Sequence, residues 1–173
     1  TLPPYHDDPA YIEALSKDLA AQLDALEFDP EVLLLSFHGM PQRTLDLGDP
    51  YHCHGRKTAR LLEEHMAPRK GPSEKMRFET SFQSRFGKAK WLEPATDATL
   101  ERLASEGVKN IAIAAPGFSA DCLETLEELA IQGKEQFESA GGEHFAALTC
   151  LNTSAPGMDM LEHIIRRELS GWT

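Results

Sequence analysis

The run LLLSFHGMPQR, residues 33–43, carries an apolar stretch straight into a histidine. His38 stands where a buried strand would end, just ahead of Gly39 and Pro41, which stop the extended run. A neutral imidazole accepts a proton near pH 7 and ligates divalent metals through either ring nitrogen. Taken alone, such a histidine reads as a partly buried ring bonded to a carbonyl. Its place at a rigid strand end, where a loop residue is held still, favours chemistry. Far along the chain, DCLETLEE (121–128) sets Glu124 and Glu128 four residues apart, on one helical face, where like charges repel modestly. Asp121 and Glu124 also fit a capping box, which would account for Glu124 and leave Glu128 unexplained. Glu127 points away from that pair and reads as solvated. In YHCHGR (51–56), His52, Cys53 and His54 are too close in sequence to face one metal from a helix, so the segment reads as a surface helix start. Tyr51 is its more interesting member, because the turn Gly48-Asp49-Pro50 would present it.

The elements that must position these residues alternate between strand and helix. Residues 8–26 carry Tyr11, Ile12, Leu15, Leu19 and Leu23 at helical spacing, with Asp8 as N-cap and Pro9 at the first helical position. Val32 to Leu35 form a short apolar run between Pro30 and Gly39, fit for a strand buried on both faces. After a polar loop, residues 56–66 favour a helix ending before Pro68, and KMRFETSFQS (75–84) alternates as a strand. Helix is expected over 97–107 with Gly107 as its stop, and strand over 110–118 halted at Pro116-Gly117. A long amphipathic helix over 122–142, a strand over 145–151 and a closing helix over 157–169 complete the pattern. Such alternation predicts an α/β fold: a three-layer sandwich around a four-stranded parallel sheet, in one domain over residues 1–173. Open parallel sheets place their sites at the carboxyl ends of the strands. His38, the Gln83-Ser84-Arg85 loop and the Pro116-Gly117-Phe118-Ser119 loop would all meet on that rim.

Composition narrows the partners. The net charge of −11 disfavours a phosphate-backbone ligand, so no nucleic-acid partner is expected. Three cysteines (Cys53, Cys122, Cys150), odd in number and without a C-x-x-C pair, fit a reduced, cytoplasmic protein. No stretch approaches the ~20 apolar residues of a membrane span, and no secretory signal is expected, since the opening residues carry no basic n-region and apolar h-region.

SFHGMPQR, GDPY, FQSRFGKAKWLEPATD and PGFSADCLETLEE together resemble the signatures of ferrochelatases, in particular the proteobacterial form that acts on protoporphyrin IX. The likeness runs from Pro4 to about Asn152 with the motifs in the right order. It implies a chelatase-like domain of the flavodoxin and Rossmann kind, and a lyase that inserts ferrous iron into protoporphyrin IX at the last step of haem biosynthesis. The family's site histidine falls on His38, expected to take a pyrrole proton, to ligate Fe²⁺, or both. The site glutamate falls on Glu124, facing that histidine across the pocket, and an imidazole with a carboxylate suits Fe²⁺ while leaving positions open for exchange. Glu128 matches a further acidic position thought to pass protons or metal, but the next member of that ladder is Gln132 here. Tyr51 and Trp91 match positions near the macrocycle, although Trp91 also fits an ordinary core or lid contact.

No cofactor is implied. Fe²⁺ is a substrate, and three scattered cysteines argue against the [2Fe–2S] cluster that some relatives carry. The likeness covers only the second of the family's two α/β halves. The chain is thus expected to be the C-terminal domain of a two-domain enzyme, with its N-terminal domain as a missing partner, or a half-size chelatase that pairs with itself. The opening TLPPYHDDPAY, without Met, favours the fragment, which alone would be inactive. Membrane contact would belong to the other half. Other readings are a cobalt or nickel chelatase for another tetrapyrrole, a non-catalytic porphyrin-binding module, and a flavodoxin-like nucleotide binder. The last is poor because no glycine-rich phosphate loop follows any strand.

Overall fold

A computed structural model describes residues 2–67 and 76–172. Within them lie four strands, β1 (Val32–His38), β2 (Arg77–Gln83), β3 (Asn110–Ala114) and β4 (His144–Ala147), all parallel in the order β2-β1-β3-β4. Strand alternation sorts the apolar residues of β1 into two layers. Leu33, Leu35 and Phe37 pack on one face with helices α1 (Pro9–Asp24), α3 (Tyr51–Met66) and α6 (Ala155–Glu168). Val32 and Leu34 pack on the other with α4 (Thr96–Ser105), a π-helix (Glu124–Gly133) and α5 (Lys134–Ser139). The three-layer α/β sandwich expected from the rhythm of the sequence is the fold observed.

The strand order fixes where a site belongs. From β1 the chain crosses through α3 to β2 on one side, then returns through α4 to β3 on the other. The direction of winding therefore reverses between β1 and β3, and ligands of such sheets bind at the carboxyl ends beside that reversal. His38 closes β1 at this point, and the Pro116-Gly117-Phe118 loop leaves β3 next to it. Gly39 is required by close approach: its N–H donates to the Gln83 carbonyl at 2.7 Å, and a Cβ there would lie 2.5 Å from the same oxygen.

Local signals for α1 are met: the Asp8 side chain accepts from the Ala10 N–H, and Pro9 opens the helix. Helix α4 ends as expected at Gly107, with φ +94°. Four expectations change. The loop after β1 contains a short helix, α2 (Gln42–Asp46). The helix expected over 122–142 is a π-helix continued by α5, so its first part bonds i to i+5. That winding brings Gln132 against Glu127 at 2.5 Å, a pair that α-helical turns would hold apart. Strand β4 stops at Ala147, short of 151, because the Gln22 side chain and the Asp121 carboxylate take the Thr149 and Cys150 amides in place of a neighbouring strand. The start of α3 is less of a surface than expected: His52 stacks on Phe82 and His54 on His6, with ring centroids 5.3 and 3.7 Å apart. Pro68 and Lys75, expected to bound α3 and β2, fall outside the described residues.

Candidate active site

At the end of β1, the His38 Nδ1 lies 2.7 Å from the Gly39 carbonyl oxygen. A carbonyl only accepts, so Nδ1 carries the proton and the Nε2 lone pair is left for a proton or a metal. The ring is half-buried, 6.2 Å from the Phe118 ring. Burial raises the phenol pKa of Tyr51 against the opposing influence of the His38 main chain. Strand, turn and two aromatic rings thus hold one imidazole with its reactive nitrogen unclaimed.

Glu124 opens the π-helix at the same rim. The capping box is not formed. The Asp121 N–H donates to Asn152 Oδ1 at 2.8 Å, while the Asp121 carboxylate takes the Asn152 amide, the Thr125 hydroxyl and the Cys150 N–H. Thr125 Oγ1 receives the Cys122 N–H instead. Asp121 is therefore a tie between the π-helix and the segment after β4, and Glu124 is released from capping. A hydrogen bond from the Cys122 thiol and its own backbone amide hold the Glu124 carboxyl below the usual carboxylate range; burial opposes them, and a protonated His38 adds a smaller push in the same direction. Gln83, the register partner of His38 in β2, donates to the Glu124 backbone carbonyl, so the two leading candidates stand at the same rim of the sheet.

Glu128 is held differently. Its two carboxylate oxygens accept the Ser84 N–H at 2.6 Å and the Ser84 hydroxyl at 2.5 Å. Ser84 meets both by adopting φ +64°, a left-handed conformation uncommon outside glycine. Beside this clamp a polar cleft of about 600 Å³ opens between Gln83, Ser84, Trp91, Glu128 and Gln132. Trp91 stands at its edge, its indole N–H on the Phe86 carbonyl at 3.0 Å and its ring 4.9 Å from the exposed Phe86 ring. Tyr51 lines a separate, more apolar hollow of about 460 Å³ with Tyr5, Tyr11, Phe37 and Pro116. The two aromatic candidates thus border different hollows. His38 and Glu124 line neither; they stand at the strand ends and helix start of the same rim. Sequence reasoning passed over Asp121 as more than a cap and Ser84 as a partner of Glu128, since neither a tie to Asn152 nor a left-handed serine has a spacing to announce it. Among the described residues no three His, Cys, Asp or Glu side chains are grouped to hold a metal, so an ion between His38 and Glu124 would have those two protein donors.

A parallel α/β sheet with an imidazole and a carboxylate at the carboxyl-end rim defines a doubly wound α/β domain with its polar candidates gathered at the reversal of winding. The chain belongs to the ferrochelatase family: residues 1–169 match the family described as Ferrochelatase. It is 54% identical over 172 residues to a ferrochelatase of Rhizobium meliloti (strain 1021), a match covering 99% of this chain and 49% of that protein. To a ferrochelatase of Agrobacterium fabrum it is 55% identical, over 99% of this chain and 48% of the relative, and to one of Methylocella silvestris 48% identical, with the same shares. The chain spans about half the length of the curated relatives it matches.

Proposed function

We propose that this chain is the metallating half of a protoporphyrin ferrochelatase, a lyase that exchanges two pyrrole protons for one ferrous ion to form haem. His38 and Glu124 carry the step. Their geometry supports complementary roles: the His38 Nε2 takes a pyrrole proton or binds the entering Fe²⁺, and the ionised Glu124 neutralises the cation across the ring. Two protein donors leave most of the coordination sphere to water and porphyrin nitrogen, which suits an ion that must be released into a macrocycle. The observation that carries this reading is an imidazole with its Nε2 unclaimed at the end of β1, beside a Gln83 that bonds the backbone of a Glu124 freed from capping.

The open rim also supports a role for the half of the relatives that this chain does not span. A tetrapyrrole needs a site that buries most of its surface, and His38 and Glu124 stand outside both hollows. We assign the second wall to the N-terminal domain of the intact enzyme; alone, the chain should bind protoporphyrin weakly and metallate it little. Trp91 and Tyr51, on either side of the rim, are proposed as porphyrin contacts. No resident cofactor is needed in this scheme, and free thiols at Cys53, Cys122 and Cys150 suit the reducing cytoplasm. Among the described residues no helix is long and apolar enough to cross a membrane.

The test is anaerobic metal insertion by the two-domain enzyme containing this half, with Fe²⁺, Co²⁺ and Ni²⁺ each offered with protoporphyrin IX. Fe²⁺ insertion should exceed Ni²⁺ insertion. A protein that binds the porphyrin and inserts no metal would be a binding module, and exclusive use of Co²⁺ or Ni²⁺ would make it another chelatase.

A further inference from the structure

Consecutive residues at the end of β2 grip the π-helix at two points. Gln83, 1% exposed, donates its amide Nε2 to the Glu124 backbone carbonyl at 3.3 Å. Ser84 takes the Glu128 carboxylate with both its N–H and its hydroxyl. Behind Gln83 runs a line of buried hydroxyls: Ser36 Oγ lies 2.8 Å from Gln83 Oε1 and 2.8 Å from Thr96 Oγ1, which lies 2.9 Å from Ser81 Oγ. Their direction is settled by counting protons. An amide oxygen only accepts, so Ser36 donates to Gln83; Thr96 then donates to Ser36, and Ser81 to Thr96. Every hydroxyl proton in the line points towards Gln83, whose own amide proton meets the Glu124 carbonyl.

We propose that Gln83 and Ser84 form a positioning clamp, anchored in the sheet core, that fixes the π-helix so that Glu124 alone is free to meet a cation beside His38. This rests on the metal-handling reading of His38 and Glu124, and it gives the two acidic residues opposite tasks. Glu128 is a fixed anchor, its oxygens already engaged by Ser84, and not a carrier that relays ions along the helix. Glu124 is anchored through its main chain, and its carboxylate carries only the local bonds from the Cys122 thiol and its own amide. The orientation of Gln83 is essential, because reversing its amide would put an acceptor against the Glu124 carbonyl and a donor against the Ser36 proton.

The 173-residue chain suffices for the test, with Zn²⁺ as probe, followed through the His38 ring and Glu124 carboxyl signals by NMR. Gln83→Leu should weaken Zn²⁺ binding by about 10- to 100-fold, the usual effect of losing a residue that orients a ligand. Gln83→Glu keeps the volume and supplies the second test should the leucine variant not fold. At alkaline pH the introduced carboxylate faces the Glu124 carbonyl with no proton, and binding should fall by a similar factor relative to wild type. On acidification that carboxyl gains a proton to donate, so the deficit relative to wild type at the same pH should close. A purely structural role would give no such pH-dependent recovery. Wild-type Zn²⁺ affinity and an unmoved Glu124 titration in folded Gln83→Glu, at every pH, would overturn the clamp. Should His38→Ala leave wild-type Zn²⁺ binding intact, the metal-handling reading fails, and the Glu124 titration in the Gln83 variants then decides the clamp by itself.

Discussion

Glu124 is defined as much by what it does not bond as by what it does. Had Asp121 and Glu124 formed the capping box that their spacing allows, the carboxylate would be tied back onto the helix start; Asn152 and Thr125 occupy those bonds instead. The Cys122 thiol is the largest influence holding the Glu124 pKa down, ahead of its backbone amide and His38. Cys122→Ala should therefore raise that pKa towards the ordinary carboxylate value, read from the carboxyl ¹³C shift against pH. The sign for stability follows from the depressed folded-state value: what ionised Glu124 contributes is present above the pKa of the unfolded chain and is lost as pH falls through the lower folded one. Glu124→Gln should remove that acid-limb dependence, and an unchanged profile would mean that other carboxylates set it. His38 illustrates a point that spacing could carry: a histidine between an apolar strand and Gly-Met-Pro was legible as a site before any geometry. Which nitrogen is available was not, because that depends on the Gly39 carbonyl 2.7 Å from Nδ1.

At the scale of elements, β1 was readable because a short apolar run between Pro30 and Gly39 has few other uses. Its burial on both faces is complete, Leu33 to Leu35 being shielded from solvent. Leu34→Ala should cost about 2–5 kcal/mol in chemical denaturation, the usual range for an unfilled leucine cavity. Gly39→Ala should destabilise by roughly 1–3 kcal/mol for a different reason: its methyl meets the Gln83 carbonyl at 2.5 Å, and backbone rather than a flexible side chain must move. A fall in stability well under that range would show that the β1 and β2 ends can part freely. The π-helix could not be read from sequence. Leu129 of the π-helix and Phe137 of α5 fit helical packing of either winding, and what distinguishes the π-helix is the i to i+5 bonding itself. Gly133 keeps its last turn close to the core, where a Cβ would lie 3.4 Å from both Leu100 and Phe145. The early end of β4 was hidden for a similar reason, since the Gln22 and Asp121 side chains that claim its amides come from distant elements. Asp121→Ala should release the Cys150 amide and the Asn152 side chain and cost about 1–3 kcal/mol, the penalty for partners left unsatisfied.

For the whole molecule, the sheet order puts His38 at the reversal of winding, one residue beyond the buried core residue Phe37. Leucine-rich layers on both faces of the sheet hold the domain together, while the rim carries an imidazole, a carboxylate and two separate hollows. On this account a folded domain and a working site are separable. Protoporphyrin should bind the 173-residue chain at least about 10-fold more weakly than it binds the two-domain enzyme, because one wall buries only part of a flat ligand; equal affinities by fluorescence titration would place the whole porphyrin site in this half. The convergence of His38 and Glu124 on one reacting centre is the claim on which the rest depends. A double-mutant cycle on metal insertion by the two-domain enzyme, with His38→Ala, Glu124→Gln and both together, tests it most directly. Each single change should reduce turnover by about 10²-fold or more with folding retained, the range for losing a group that moves a proton. The double change should be little worse than the poorer single one, since groups acting as a unit are not additive. Undiminished turnover in either single variant, or losses that simply multiply, would contradict the account.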